Sequence, residues 1–497
     1  MRTVRPRPRT LSADTQGNSP NNNFIINNQL RNQEGLARAL LCLEGMVRWS
    51  LLLGGLFWAA HVADANDLKL YYELAQTRDT TLQAAHFQRD ALVEARPQAI
   101  AQWLPQLSAN ASATRERAGF DTGPALGSQA ADCAISSTAT TQRCYGTAHA
   151  LGLNISQTLW SFQSFSQLKE ANFQVAAAEA NYQGAQQSLL LRVAQAYFGI
   201  LSAADQLATN VAERDAFNTL LNQAKSREQT GVGPRSDVEQ AQAFYDATEQ
   251  SVIDARNALD DAYLALTQIV GQKVAGVAPL REDIPLLSPE PASAEDWVTS
   301  ARQDNFDVRT AQLTMEAASR DISVQRGRGL PTILLTGSGS KITQDAVLGG
   351  NQTLDTIGVS FSWPLFQGGA IASAVRQSRA LFRQSQVNVE AIQRNTETQT
   401  RAAFRGIVTG IQRIGAARRA VDSGEKAVEA MRRNVEFGTG NEFELLNAQN
   451  NYYTARRLYS QARYDYLTSV LTLKQQAGRL TERDLIAIDN LLIEKAA

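Results

Sequence analysis

The sequence predicts an α+β membrane protein made of two tandem structural repeats, in which short β-strands lead into helices long enough for an extended antiparallel coiled coil. Three observations predict it. The segment TGVGPRSDVEQAQ at 230–242 returns as FGTGNEFELLNAQ at 437–449, aligning Gly231 with Gly438, Gly233 with Gly440, Val238 with Leu445 and Ala241 with Ala448. Residues 163–229 hold no proline and only two glycines, and no proline follows Pro364, so each repeat has room for one very long helix. Two segments in each repeat have strand character, with apolar and small polar residues alternating at period two.

With 48 basic against 49 acidic residues the net charge is -1, which gives no field to gather nucleic acid. No nucleic-acid partner is expected. The longest apolar run, 51–60, falls well short of the roughly 20 residues of a spanning helix, so no transmembrane helix is expected. A secretory signal instead starts at Met46, with Arg48, the core SLLLGGLFWAA and a small-x-small site at Ala63, Asp64 and Ala65. That makes 46–65 the signal peptide and Asn66 the first mature residue. Residues 1–45, with RTVRPRPRT and NNNFIINN, lack apolar periodicity and are expected to be disordered. Either the natural start is Met46 and they are an over-extended translation, or they form an unusually long n-region. Cys42 precedes the apolar core, whereas a lipidated cysteine would follow it, so no lipid is expected there. His61, His86 and His149 are scattered and no cysteine has metal-ligand spacing, so no metal or cofactor is expected.

The first repeat is expected over 66–275. Residues 67–101 read as helix, with Leu70, Leu74, Leu82 and Phe87 on a broad face. After Trp103, Leu104 and Pro105 the pattern changes: Leu107, Ala109, Ala111 and Ala113 alternate with Ser108, Asn110, Ser112 and Thr114, a strand over about 105–115. Residues 115–147 read as a loop. Leu151, Leu153 and Ile155 then open a second strand over about 149–161, closing at Trp160 and Phe162 and completing an antiparallel hairpin. The long helix at 163–229 would extend about 100 Å at 1.5 Å per residue. Past the turn at 231–234, Ser236 or Asp237 can cap a second helix. On it Val238, Ala241, Tyr245, Thr248, Val252, Ala255, Leu259, Ala262, Leu266 and Ile269 recur at three- and four-residue spacing. Such a stripe is core packing, here the seam of an antiparallel coiled coil.

Residues 276–292, with Pro279, Pro285, Pro289 and Pro291, read as a linker. The second repeat, 293–480, restarts the order. A helix over 293–327 is followed by Leu330-Pro331 in place of Leu104-Pro105, then by strands over about 331–343 and 355–366. In the last strand Ile357, Val359, Phe361, Trp363 and Leu365 share a face. A helix over 368–436 follows, seamed by Phe404, Ile407, Ile411, Ile414, Val421, Val428, Met431 and Val435. Beyond the turn at 438–440 a last helix carries Leu445, Ala448, Tyr452, Ala455, Tyr459, Ala462, Tyr466 and Leu473, and 481–497 forms a C-terminal segment.

The two Leu-Pro pairs lie 226 residues apart, but the repeats are 206–207 apart after the second strands, so the first hairpin loop is about twenty residues longer. The extra length holds Cys133 and Cys144. In an exported chain this pair reads as a disulfide, and long barrel loops face outward, so it is expected on the extracellular side. Strands of about ten residues suit a tilted bilayer crossing, yet four cannot close a barrel and an open edge does not survive in lipid. Several copies must pool strands: two supply about eight with little lumen, three about twelve with room for a channel. Trp103, Trp160, Phe162, Trp363 and Phe366 fall at the strand ends facing the helices and read as the aromatic girdle of one interface.

Through EARPQAIAQWLPQL, VSFSWPLFQGG, FGTGNEFELLNAQ, ARYDYL and GRLTERDLIAIDNLL, residues 66–492 resemble the TolC-type outer-membrane efflux and type I secretion channel family. The resemblance implies a homotrimer whose outer-membrane β-barrel, four strands per chain and twelve per trimer, continues as a twelve-helix coiled-coil barrel in the periplasm. It also implies an exit duct set in outer-membrane lipid and docked to a periplasmic adaptor and an inner-membrane pump, with the turns at Gly231, Gly233, Gly438 and Gly440 as the helix tips. The family closes its tunnel there with acidic residues. Asp237 falls on the acidic position of the first repeat, while Glu444 and Asn447 fall on the two positions of the second, so this gate carries less charge and should hold cations more weakly. An arginine of the family's latch falls on Gly440, with Arg235 nearby as a substitute. Asp237, Glu442 and Glu444 also sit in first helical turns, where a carboxylate complements the helix dipole by roughly 0.3–1 kcal/mol. Capping accounts for Glu442 as well as a gate role does, whereas three Glu444 carboxylates converging on a threefold axis would attract cations.

Two other classes compete. The Gly-x-Gly turns join helix to helix, whereas a nucleotide fingerprint follows a strand, and no nucleophile–base pair stands out, so an enzyme is not expected. A periplasmic coiled-coil adaptor or structural protein is the alternative. It explains the long helices but not the alternating strands with tryptophans at their ends.

Overall fold

The computed structural model describes residues 68–120, 133–134, 142–344 and 351–493, all within the compact unit Asn66–Ala497. The expected signal peptide at 46–65 and the extension at 1–45 lie outside the described residues. Helices α1 (Leu68–Arg78), α2 (Thr80–Val93) and α3 (Ala95–Ala101) lead into β1 (Gln106–Phe120), the two-residue β2 (Cys133–Ala134) and β3 (Gln142–Ser161). The long α4 (Phe162–Gln229) and α5 (Arg235–Val270) complete the first repeat. The second runs α6 (Ala294–Asp304), α7 (Phe306–Gly327), β4 (Thr332–Gln344), β5 (Gln352–Ser362), α8 (Ala370–Glu436) and α9 (Glu442–Gln476), and α10 (Glu482–Asp489) follows.

The strands form one antiparallel sheet in the order β1-β3-β4-β5, with β2 pairing β3. Register aligns the side chains in rows across the sheet. Leu107, Ile155, Gly337 and Ile357 lie in one row across the four strands, and Ser108, Asn154, Ser338 and Thr356 in the next. Because successive residues point to opposite faces, near the helices one face is mainly apolar and the other mainly polar, while farther along the strands Lys341 and Asp355 join the first face. The apolar face is uncovered, with Leu107 67% and Ile357 84% exposed. The polar face is tied by its own side chains, Asn154 Nδ2 donating to Asn110 Oδ1 at 2.9 Å and the Ser338 and Thr356 hydroxyls sharing a bond of 2.7 Å.

Several elements depart from the sequence expectation. β1 and β3 run past residues 115 and 149, the limits read from alternation, because ladder pairing continues through Arg115, Glu116 and Arg117 where the apolar pattern has stopped. β5 ends at Ser362, so Trp363, Leu365 and Phe366 leave the alternating face. Pro364 cannot donate to a ladder and ends the strand. The helices expected over 67–101 and 293–327 are broken at Asp79 and Asn305 without a proline or glycine at the break, and the first is interrupted again at Glu94, three residues before Pro97. Asp79 caps α2 by accepting from Leu82 N at 2.7 Å, and Asn305 caps α7 by accepting from Asp307 N and Val308 N at 2.9 and 3.1 Å. Short polar side chains offer the backbone that alternative to a continuous helix. Phe87 is 67% exposed rather than on a buried face; α1 buries Leu68, Tyr71, Tyr72 and Ala75 instead. Pro234, in extended conformation, precedes α5, and Ser236 and Asp237 lie inside its first turn instead of capping it.

Around the half of the helical body remote from the sheet the helices stand side by side as α5-α4-α9-α8, while α7 fits between α4 and α8 nearer the sheet. The seams read from heptad spacing are buried or half-buried throughout, including Ala241, Thr248, Val252, Ala255 and Leu266 on α5 and Leu445, Ala455, Tyr466 and Leu473 on α9. The expected linker at 276–292 has no regular structure, yet it is not loose. Ala278, Leu280 and Ile284 are buried in a core shared with α1, the middle of α4 and α9. Tyr197 Oη donates to Ala278 O and accepts from Ala278 N at 3.1 and 2.9 Å, and Tyr466 Oη does the same with Leu287 at 3.0 and 2.8 Å. Side-chain hydroxyls thus satisfy the backbone that a proline-rich segment leaves unpaired. Leu280 also bridges Leu492 beyond α10. No helix among the described residues is long and apolar enough to cross a membrane.

Gly478 closes α9 at φ +68°, where a Cβ would lie 2.7 Å from the carbonyl carbon of Asp304. Gly478→Ala is therefore expected to destabilise the protein by about 1–3 kcal/mol, seen as a lower thermal midpoint by circular dichroism in detergent. Gly358→Ala, whose Cβ meets nothing within 4 Å, should leave the midpoint unchanged.

Candidate gate at the helix tips

The two inter-helix turns are built bond for bond alike. In the first, Gly231 has φ 74°, Gly231 N donates to Glu228 O at 3.0 Å, and Val232 N and Gly233 N both donate to Arg227 O at 2.9 and 3.1 Å. In the second, Gly438 has φ 71°, Gly438 N donates to Val435 O at 3.2 Å, and Thr439 N and Gly440 N both donate to Asn434 O at 2.9 and 3.0 Å. The left-handed glycine lets the chain reverse while closing the last carbonyls of the helix. Gly233 and Gly440 are small for a different reason: a Cβ would stand 3.0 Å from Arg227 Cβ in one turn and 2.8 Å from Asn434 Cβ in the other. The turns expose Val232 and Phe437 almost fully, 80% and 78%.

The acidic positions are not equivalent. Glu444 is exposed in the first turn of α9, and Asn447, one turn on, is half-buried with Nδ2 donating to Phe443 O at 2.9 Å. Asp237 is half-buried in the first turn of α5 and accepts from Ser236 Oγ at 3.3 Å. Glu442 is the residue that sequence reasoning left between capping and gating. The cap of α9 is Asn441, whose Oδ1 accepts from Phe443 N at 2.9 Å. Glu442 turns inward instead, 4% exposed, and Oε2 takes Nη1 of Arg227 at 2.9 Å, pinning the start of α9 to the end of α4. Arg235, the expected latch substitute, is exposed and pairs with Glu239 on its own helix at 3.3 Å. Arg227, a residue outside the aligned motif, makes the cross-helix contact with Glu442.

A second charged fastening crosses the same seam higher up. Glu213 of α4, 3% exposed, pairs with Arg457 of α9, which also donates to Asn210 Oδ1 at 3.3 Å and Thr454 Oγ1 at 2.9 Å. Asn210 in turn donates to Ser251 O of α5 at 3.0 Å, so one polar knot joins three helices. The signal that could have revealed it is a glutamate standing at position 213 in an otherwise apolar stripe containing Phe217, Leu220 and Leu221.

At the other end, Trp103, Trp160 and Trp363 all stand where sheet meets helix. Trp103 lies in the turn after α3, and its carbonyl accepts from Gln157 Nε2 at 3.4 Å. Trp160 follows an irregularity in β3 and faces Ile333 on β4. Trp363, 53% exposed, donates from Nε1 to Gly329 O at 3.2 Å. Phe366 is 87% exposed just beyond. Cys133 and Cys144 are directly opposed in the β2–β3 register.

Comparison with known proteins bears on this architecture. The family model for outer membrane efflux proteins matches residues 71–272 and 297–479, one stretch per repeat. The outer membrane protein TolC of Vibrio cholerae serotype O1 is 30% identical over 442 residues, covering 88% of this chain and 95% of that protein. The alkaline protease secretion protein AprF of Pseudomonas aeruginosa is 29% identical over 337 residues, 67% of this chain and 70% of that protein. Among solved structures, the outer membrane protein VceC of Vibrio cholerae aligns with a TM-score of 0.69 at 18% identity, covering 83% of this chain and 96% of that one, a likeness of fold.

Burial pushes the Glu442 carboxyl above the usual carboxylate range; the Arg227 guanidinium pulls it partly back, and the charge of Asp237 pushes it further up. A carboxyl with a raised folded pKa binds its proton more readily folded than unfolded. The fold is thereby stabilised as pH falls through the folded pKa towards the unfolded value of 4.5, and loses that stabilisation as pH rises. Glu442→Gln removes the effect. The thermal midpoint of the wild type minus that of Glu442→Gln is expected to increase when pH is lowered from about 7 to about 5; a difference independent of pH would show that Glu442 is not perturbed in this way.

Proposed function

We propose that this chain, which belongs to the outer membrane efflux protein family, is the outer-membrane exit duct of a tripartite efflux pump or type I secretion system. It passes substrates from an inner-membrane pump and its periplasmic adaptor to the outside. The observation that carries this is a four-stranded sheet with two open edges and an uncovered apolar face, set at the end of a 68-residue helix. Such a sheet is stable in hydrocarbon only when its edges are closed by other copies. Three chains pool twelve strands around a lumen lined by the polar rows of Ser108 and Asn154, with the apolar rows facing lipid and Trp103, Trp160 and Trp363 at the interface. The secretion role of the AprF relative favours protein export alongside efflux.

In this reading the remote tips are the periplasmic mouth. The adaptor meets the turns at Gly231, Gly233, Gly438 and Gly440, where Val232 and Phe437 offer apolar contact. Glu444, exposed beside the tip and repeated by threefold symmetry, is the cation-attracting group; Asp237 and Asn447 complete the constriction. The first hairpin tip is extracellular and carries a Cys133–Cys144 disulfide. Opposed Cα atoms in an antiparallel ladder stand about 4.5–5.5 Å apart, within the span a disulfide bridges.

The protein should fractionate with the outer membrane, run as a heat-dissociable trimer and conduct ions in planar bilayers. A soluble monomer that forms no pores would instead favour the coiled-coil adaptor alternative. In the same recordings Glu444→Gln is expected to weaken block by divalent cations several-fold, and unchanged block would remove Glu444 from the constriction. Non-reducing peptide mapping of the purified protein should recover Cys133 and Cys144 as one linked fragment; free thiols at both positions would refute the bond.

A further inference from the structure

The offset of 226 residues that relates Leu104-Pro105 to Leu330-Pro331 also relates Arg115 to Lys341. β1 and β4 run in the same direction, away from the helices, and each of these bases stands nine positions past the first residue of its strand. Alternation puts both on the face of Leu107 and Ile357, and both are exposed. In each strand the four preceding positions on that face carry no polar side chain: Leu107, Ala109, Ala111 and Ala113 in β1, and Ile333, Leu335, Gly337 and Gly339 in β4. The path from Leu107 to Arg115, or from Ile333 to Lys341, is about 26 Å along the strand and about 20 Å of depth at the tilt of a barrel strand. Both repeats therefore end the apolar band at the same level, and each ends it with a base.

The other charges of the sheet are sorted in the same way. Register places Arg117 and Arg143 on this face farther out and Glu116 on the opposite one. Among the described residues of the sheet, Asp355 is the acid that shares the face, and one carboxylate cannot neutralise four bases. The margin next to the helices is marked instead by Trp103, Trp160 and Trp363. Indole rings suit an ordinary phospholipid interface, whereas guanidinium and ammonium groups suit phosphate oxygens, so the two margins are built for different headgroups.

We propose that Arg115 and Lys341 form a ring of six cations around the trimer that binds the phosphate groups of the glycolipid in the outer leaflet, a step that rests on the trimeric outer-membrane reading above. β1 and β4 alternate with β3 and β5, so the bases recur on every second strand, about 10 Å apart across the ladder. Their long stems cover the last of the apolar band while the charged ends reach the headgroup layer. Each bound phosphate gains a fixed counter-charge from the protein, which fastens the barrel to its lipid shell.

Native mass spectrometry of the full-length protein in a mild detergent tests this, with bisphosphorylated lipid A, its dephosphorylated form and phosphatidylglycerol as separate titrants. The wild-type trimer should retain bisphosphorylated lipid A in preference to the other two. Arg115→Gln combined with Lys341→Gln should bind it at least about fivefold more weakly, whereas Arg115→Lys combined with Lys341→Arg, which keeps both charges, should retain most of the binding. Equal retention with and without the phosphates, binding unchanged in the double glutamine variant, or equal loss in the charge-keeping variant would overturn the ring. Equal retention of phosphatidylglycerol would overturn the glycolipid as its ligand. The double glutamine variant should still form trimers that conduct in planar bilayers, so the duct is read separately from the lipid site. A wild-type chain that forms no trimer would overturn the trimeric assembly, and the ring with it.

Discussion

The outer edges of β1 and β5 set the conditions for everything else. Each presents a row of backbone donors and acceptors with no strand beside it among the described residues, next to a face of exposed Leu107, Val359 and Phe361. In hydrocarbon every such group must be bonded, so the sheet must continue into another copy until it closes. With four strands alternating in direction, β1 of one copy meets β5 of the next antiparallel, and closure needs no change of ladder type. The constraint is passed on directly to the helices. Ser161, the last residue of β3, accepts from Ser164 N at 3.1 Å and so caps α4 with no loop between strand and helix. Barrel and helical body are one continuous frame.

A helix of 68 residues cannot be held along its length by a single cluster of side chains. Two apolar clusters share the task. The larger surrounds Leu189, Val193, Tyr197 and Ile200 in the middle of α4 and draws in α1, the proline-rich strap and α10. The smaller lies nearer the tips, where Phe217, Leu220 and Leu221 meet Ala241, Leu445 and Leu446. Between them the knot of Asn210, Glu213 and Arg457 spans the gap with polar bonds. The strap binds only the larger cluster, so the tip helices depend on their own seams.

Much of this was legible in the sequence because both kinds of element announce themselves by period. Alternation at Leu107 to Ala113 and Leu151 to Ile155 found the sheet, and three-four spacing along α5 and α9 found the seams. The duplicated Gly-x-Gly turns fixed where the helices reverse. Legibility failed where one side chain overrides a pattern. Asp79 and Asn305 look like ordinary surface residues in a helical stretch, yet each breaks a helix because its oxygen accepts from the backbone ahead. The strap looked like a linker because its prolines hide the burial of Leu280 and Ile284. Glu442 was ambiguous because sequence spacing puts it in a first turn but does not say whether Asn441 or Glu442 serves the cap. Once Asn441 takes that task, the glutamate is free to turn inward, and its partner, Arg227, is 215 residues away.

The buried pairs on the in-chain seam need a reason other than stability, since removing such charges from water costs about as much as their attraction returns. Their geometry suggests one. The α4–α9 seam packs Phe217 and Leu221 against Leu445 and Leu446, and Tyr453 Oη and Tyr464 Oη donate across it to Ala212 O and Asp205 Oδ2 at 3.1 and 2.8 Å. A slide would leave Glu213 and Glu442 buried without their arginines, at two levels of the seam at once. The pairs therefore reinforce the register that the tyrosine bonds set, and two of them prevent a tilt about either.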